Sequence, residues 1–146
     1  MNIKLLLAAI LTAPLLAYAQ KPAFVPVTNF DATKYLGTWY EIARFPHHFE
    51  KNMSHVTATY TLRDDGKIDV LNRGIENGKE KIARGKAKFA NDKSVAHLRV
   101  TFFWPFSADY KVVDLDKNYT HALVVSSSFD YLWILSRTKT IDDSTF

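Results

Sequence analysis

From residue 38 onward the chain reads as short runs in which apolar and polar residues alternate, roughly ten residues apart and separated by turn chemistry. A period of two marks a strand with one face in a core and the other in water. Eight runs stand out: Thr38–Phe45, His55–Arg63, Lys67–Glu76, Glu80–Ala90, Val95–Phe103, Ala108–Leu115, Tyr119–Ser126 and Tyr131–Arg137. In the second, Val56, Ala58, Tyr60 and Leu62 alternate with Thr57, Thr59 and Thr61, a β-branched outer face. Asp64-Asp65-Gly66 and Asn77-Gly78 are hairpin signals, because these residues tolerate the left-handed backbone of a tight loop. Eight antiparallel strands in hairpin order can close on themselves and so remove their exposed edges. The predicted fold is therefore all-β, an eight-stranded antiparallel up-and-down barrel over residues 37–138. Residues 20–36 form an N-terminal segment with a short capped helical turn at Asn29–Leu36. Gly37 and Arg137 fall at the closed end, and the loops Pro46–Ser54, Glu76–Lys79, Trp104–Ser107 and Ser126–Asp130 ring the open one.

Composition narrows what such a barrel does. At 146 residues and 47% hydrophobic content the chain supplies one domain with one core. Aromatics reach 14%, ten of them Phe, which suits an interior lined with rings. The absence of Cys excludes disulfides and thiolate metal sites. Residues 1–19 read as an export signal: Lys4 as the positive end, an apolar run from Leu5 to Leu16, and Ala17-Tyr18-Ala19 as the cleavage site before Gln20. The run is short for a membrane-spanning helix, and there is no Cys at the cut to carry a lipid. The expected product is soluble and exported, in the periplasm or cell envelope. The net charge of +4, one unit of it from Lys4, comes from scattered basic residues with no run of five. That argues against nucleic acid as a partner and allows contact with anionic membrane surfaces.

Alternation assigns an inward face to Tyr60, Val70, Asn72, Ala87, Phe89, Leu98, Val100, Phe102, Tyr110, Val112, Leu123 and Trp133. Small residues on that face, Ala58, Gly85 and Ala87, leave room, so a cavity is expected rather than a filled core. The candidate ligand-binding residues are Tyr60, Asn72, Phe89, Leu98, Phe102, Tyr110 and Trp133, with Phe49 and Phe106 at the mouth. Glu41 shares a face with Trp39 and Ala43 and should point inward, held by a structural partner such as Arg137 or Tyr110 or holding a polar ligand head. His47, His48 and His55 are expected as exposed loop residues, since adjacent histidines without an acidic or thiolate companion at ligand spacing make a poor metal or haem site.

Three places in the chain match a known pattern. Gly37-Thr38-Trp39 stands inside Tyr35-Leu36-Gly37-Thr38-Trp39-Tyr40-Glu41-Ile42-Ala43-Arg44; Asp116 occupies the turn between the sixth and seventh runs; Arg137 ends Leu132-Trp133-Ile134-Leu135-Ser136-Arg137. On these residues the chain resembles the lipocalins, and most closely the branch of bacterial outer-membrane lipocalins and apolipoprotein D, over residues 28 to about 142. The second motif departs from the family's Thr-Asp-Tyr, keeping only Asp116 between Leu115 and Lys117. The resemblance implies a barrel whose foot is closed by Trp39 and Arg137, where a guanidinium over an indole is worth about 1–2 kcal/mol. Gly37, Trp39, Asp116 and Arg137 are then structural rather than ligand-binding.

The resemblance also implies a carrier. Its cargo would be a small hydrophobic molecule, a fatty acid or lysophospholipid, bound or stored in connection with envelope maintenance. No cofactor or metal is expected, and no catalytic constellation is apparent: the serines cluster in a mouth loop, and His121 and Asp130 have no visible third member. The alternatives are a module that binds protein partners through the mouth loops, or an isomerase of the lipocalin type, though the prostaglandin enzymes use a pocket Cys. The family continues beyond the eighth strand with a helix and a ninth strand, so residues 139–146 read as a truncated tail with Asp142 or Asp143 placed to cap that helix. An exposed apolar patch on the outer wall, at Ile42, Leu132 and Ile134, and with it homodimerisation, would follow.

Overall fold

A computed structural model describes residues 23–127 and 130–144. The expected export signal, residues 1–19, lies outside the described residues, as does the side chain of Phe49. A single helical turn, α1 (Ala32–Tyr35), precedes eight strands: β1 (Gly37–Arg44), β2 (Met53–Leu62), β3 (Ile68–Glu76), β4 (Lys79–Phe89), β5 (His97–Phe103), β6 (Phe106–Leu115), β7 (His121–Val125) and β8 (Leu132–Ser136). Each pairs antiparallel with its neighbours in sequence, and β1 closes on β8. The result is the closed eight-stranded barrel that the alternation predicts. Asn77 and Gly78 both take positive φ, 52° and 75°, as the two-residue hairpin between β3 and β4 requires.

The N-terminal segment runs beneath the barrel rather than away from it. Val27 is threaded between strands, its N–H donating to the Val112 carbonyl and its carbonyl accepting from the Ala96 N–H, each at 2.9 Å. Asp31 caps α1 by accepting the Thr33 N–H at 3.0 Å. This delivers Phe30 and Tyr35, both buried, into the barrel foot beside Trp39 and Tyr60. The core is therefore made of inward strand residues closed from below by side chains from outside the sheet.

Two bulges change which residues face inward. In β7 the register pairs Val124 with Trp133 and Leu123 with Ile134. Directly opposed residues share a face, so Ala122 and Val124 join the core and Leu123 points outward, against the expectation. Ala122–Val125 is a continuous apolar run, and without alternation its parity is unreadable; a register shift between Val112 and Asp114 sets it. In β1 the register against β8 shifts between Glu41 and Ala43. Glu41 opposes the inward Leu135, but past the bulge Arg44 opposes Trp133 and Ala43 opposes Ile134. Arg44 thus turns inward in place of Ala43.

The turn between β6 and β7 runs further than expected, to Thr120. The Asp116 carboxylate accepts the backbone N–H groups of Asn118, Thr120 and His121 at 2.6–3.1 Å and the Thr120 hydroxyl at 2.8 Å. On the outer wall Ile42, Leu132 and Ile134 are half-buried rather than exposed. The most exposed large apolar side chains stand instead at the β5–β6 tip: Phe103 at 80%, Trp104 at 88% and Phe106 at 77%.

Candidate functional site

The foot of the barrel is sealed and packed. Trp39 is wholly buried, and its indole N–H donates to the Tyr35 carbonyl at 2.8 Å. The Arg137 guanidinium lies over the ring, 3.9 Å from its centroid. It donates to the carbonyls of Lys34, Leu36, Thr38 and Tyr119 at 2.8–3.2 Å. Gly37 takes φ 93°, and a Cβ there would sit 3.4 Å from the guanidinium. A side chain there would be strained by its backbone, while the contact with Arg137 would be an ordinary one.

Above this seal three tyrosines form a second layer. The Tyr110 hydroxyl is 2.8 Å from both the Tyr35 and Tyr60 hydroxyls. Burial pushes the Tyr60 phenol up to about 12 and the other two well above their ordinary range, so all three remain neutral. Together with Phe30, Ile68, Ala87, Leu98 and Val100 they leave a cavity of about 20 Å³, room for one water and no more. The expected hollow does not extend this deep. Of the candidate ligand residues, Tyr60 and Leu98 line the packed layer, Phe89 packs against Phe30, and Tyr110 caps it. The room foreseen at Gly85 is also taken: a Cβ there would meet the Phe102 ring and the Thr101 carbonyl at 2.9 Å.

The upper barrel differs. Ala58, Phe102 and Trp133 are only half-buried, and Asn72 keeps a buried Oδ1 with no hydrogen-bond partner. Over them folds the segment between β1 and β2, with a single 3₁₀ turn at His48–Glu50. Arg44 holds it. Its Nη1 donates to Glu41, and its Nη2 donates to the Glu50 carbonyl and, at 2.9 Å, to the Met53 carbonyl. The Glu50 carboxylate accepts from the Trp133 indole N–H at 3.3 Å and stands 3.2 Å from His47 Nε2. His47 is buried, its ring 5.3 Å from both Tyr131 and Trp133, and so is not the exposed loop residue expected. His48 and His55 are exposed. Burial lowers the His47 pKa, opposed by Glu50. Among the described residues no three His, Asp or Glu side chains converge as a metal site requires.

Glu41 is the partner of Arg44, not of Arg137 or Tyr110. Burial raises its carboxyl to about 7; the hydrogen bond from Arg44 opposes this and the nearby Glu50 charge adds to it. The sequence reading missed Arg44 as an inward group because the bulge after Glu41 breaks the alternation, and no residue type announces it. At the rim, Phe106 begins β6 beside Phe103 and Trp104, all solvent-exposed.

A family model described as "Lipocalin-like domain" matches residues 30–146. The chain is a lipocalin. It is 57% identical to the outer membrane lipoprotein Blc of Citrobacter freundii over 119 residues, 80% of this chain and 67% of that one. It is 41% identical to temperature-induced lipocalin-1 of Arabidopsis thaliana, over 87% of this chain and 73% of that one. The chain thus spans about two thirds of the bacterial relative's length. Insecticyanin from the tobacco hornworm Manduca sexta shares the fold at a TM-score of 0.71 and 24% identity, covering 85% of this chain and 72% of its own. Lipocalins bind small hydrophobic ligands. No described helix of this lipocalin is long and apolar enough to cross a membrane.

Proposed function

We propose that this lipocalin carries a single-chain lipid, a fatty acid or lysophospholipid, in the cell envelope. One observation supports this above the rest: the barrel is sealed at its foot, while the inward side chains Phe102, Trp133 and Ala58 higher up are only half-buried. An eight-stranded barrel is narrow, so it admits one chain rather than two. Each methylene buried against Phe102 and Trp133 contributes about 0.8 kcal/mol. The packed tyrosine layer limits how far a tail descends. The exposed Phe103, Trp104 and Phe106 at the rim suit the interfacial zone of a membrane, from which such a lipid is collected. The bacterial relatives are described as outer membrane lipoproteins, and residues 1–19 would export this chain to the same compartment.

Solvent extraction of the protein purified from its host, followed by mass spectrometry, should release a single-chain lipid. Titration with a lysophospholipid should quench tryptophan fluorescence saturably, and Trp133→Phe should lose most of that response. Absence of both extracted lipid and saturable quenching would turn the reading toward a protein partner at the mouth loops; a product mass that grows with time would turn it toward an isomerase.

A further inference from the structure

We propose that the outer wall of β4, together with the aromatic tip beside it, docks this lipocalin on an anionic phospholipid bilayer. The docking rests on the carrier reading for its purpose, since cargo would be collected there, but its test uses no cargo and the two can fail separately.

Topology gathers basic residues that the sequence scatters. Gly85, Ala87 and Phe89 face into the barrel, so Arg84, Lys86 and Lys88 stand in a row on its outside, all three exposed. Successive members of the row are about 7 Å apart along the strand. Lys88 lies directly across from Arg99 on β5, which adds a fourth cation to the same wall. The acids nearby are already held. Asp69, directly across from Lys86 on β3, is bound by Arg63 at 3.2 Å; Glu80 is bound by Arg73 at 3.3 Å and Asp109 by Arg99 at 2.9 Å. Among the described residues no acid forms an ion pair with Arg84, Lys86 or Lys88. On the other side of the barrel the outer faces of β1, β7 and β8 carry no Lys, Arg, Asp or Glu.

Lysines on a strand often guard an exposed sheet edge, but β4 is paired on both sides in a closed barrel and has no edge to guard. A wall that merely faced water would have no use for exposed rings beside it. Lys86 opposes Thr101, and two residues toward the mouth on each strand stand Arg84 and Phe103. Phe103 is exposed, as are Trp104 and Phe106 on the same tip and Ile82 on β4 itself. A row of unpaired cations next to exposed aromatics matches the two layers of an anionic membrane surface. Phosphates attract the cations, and the rings settle at the level of the headgroups. An acidic polypeptide would answer the cations but not the rings.

The test is co-sedimentation of the delipidated full chain with vesicles of phosphatidylcholine alone or of an equal mixture of phosphatidylcholine and phosphatidylglycerol. Each cation at an anionic surface contributes about a fivefold factor in affinity. The mixed vesicles should bind at least about tenfold more tightly than the neutral ones, and most of that gap should close at about 1 M salt, where the screening length falls to about 3 Å. Arg84→Gln, Lys86→Gln and Lys88→Gln combined should weaken binding to the mixed vesicles by more than about tenfold and leave the urea midpoint unchanged, because all three side chains are exposed. Lys67→Gln, Lys117→Gln and Lys139→Gln combined, which remove the same charge from exposed positions at the closed end, should weaken it by about threefold or less. Equal affinity for the two kinds of vesicle overturns the proposal, because the rings would then be the whole contact. Equal losses from the two triple variants overturn it as well, because net charge and not this wall would be the cause. Binding to immobilised polyglutamate with no binding to either vesicle overturns it in favour of an acidic protein partner. None of these outcomes touches the extraction and titration that test the carrier reading.

Discussion

Both ends of this barrel place an arginine beside a tryptophan, and the two pairs do opposite things. At the foot, Arg137 lies on Trp39 and gives its donors to four backbone carbonyls from two segments of chain. The indole there is wholly buried. At the mouth, Arg44 opposes Trp133 across the β1–β8 pairing, but its partners include two carboxylates, and the indole is half-exposed. The same side chains make a permanent seal when their acceptors are uncharged carbonyls of fixed position. They make a responsive surface when the acceptors are acids whose protonation can change. The difference lies in the acceptors and the burial rather than in the arginine or the indole.

The sharpest way to break the comparison is to remove the two rings. Trp39→Ala should lower the unfolding free energy by about 3–5 kcal/mol, because a fully buried indole leaves a cavity among Tyr35, Tyr60 and Arg137. Trp133→Ala should cost clearly less, since its indole is only partly buried. Urea unfolding followed by circular dichroism reads both; equal losses would show that the two ends are not energetically distinct. Next in size is Asp116→Ala, also at the foot. It removes the acceptor for three backbone amides and a hydroxyl and should cost about 2 kcal/mol in the same assay. A loss too small to measure would show that the turn holds without its carboxylate.

The foot was largely legible in the sequence and the mouth was not, for physical reasons that particular residues display. Strands with true alternation, such as Val56 to Leu62, declare their faces, and Asn77-Gly78 declares its turn through the backbone it allows. Trp39 and Arg137 stand at fixed distances from a glycine turn and a strand end. Arg44 is hidden because a bulge inverts parity after Glu41, and a bulge depends on pairing with β8, almost a hundred residues away in sequence. His47 is hidden because what buries it, Tyr131 and Trp133, arrives from that same distant strand. The filled lower barrel escaped detection because the side chains that fill it, Phe30 and Tyr35, come from outside the alternating runs. Leu123 shows the limit of the method inside a run: four apolar residues in a row carry no parity.

A smaller effect tests the claim that the mouth responds to pH. Glu41 holds its proton to about pH 7 in the folded state, above the ordinary glutamate value of 4.5. The folded state therefore binds more protons than the unfolded one between those values. The stabilisation this brings is present below the unfolded value and is lost as pH rises through about 7. Burial is the leading cause, so Glu41→Gln, which keeps the shape and removes the ionisation, should gain stability relative to the wild type as pH climbs from about 5 to 8. Parallel stability curves for the two proteins across that range would show that Arg44 fully offsets the burial of the acid.

The smallest expected effect on stability belongs to the rim, and its smallness is informative. Trp104 is 88% exposed, so Trp104→Ser removes almost no buried surface and should change the unfolding free energy by about 0.5 kcal/mol or less. Its neighbours Phe103 and Phe106 are nearly as exposed, so the three rings are held out by the β5–β6 hairpin without repayment from the core. If the rim meets a membrane interface, the variant should keep the affinity of the wild type for a lysophospholipid in solution yet take up the same lipid from phosphatidylethanolamine–phosphatidylglycerol vesicles several times more slowly. Co-sedimentation with those vesicles should fall in step. Unchanged uptake together with unchanged stability would separate the exposed rings from lipid collection, and the contrast between the two ends would then rest on Arg44 and its acids alone.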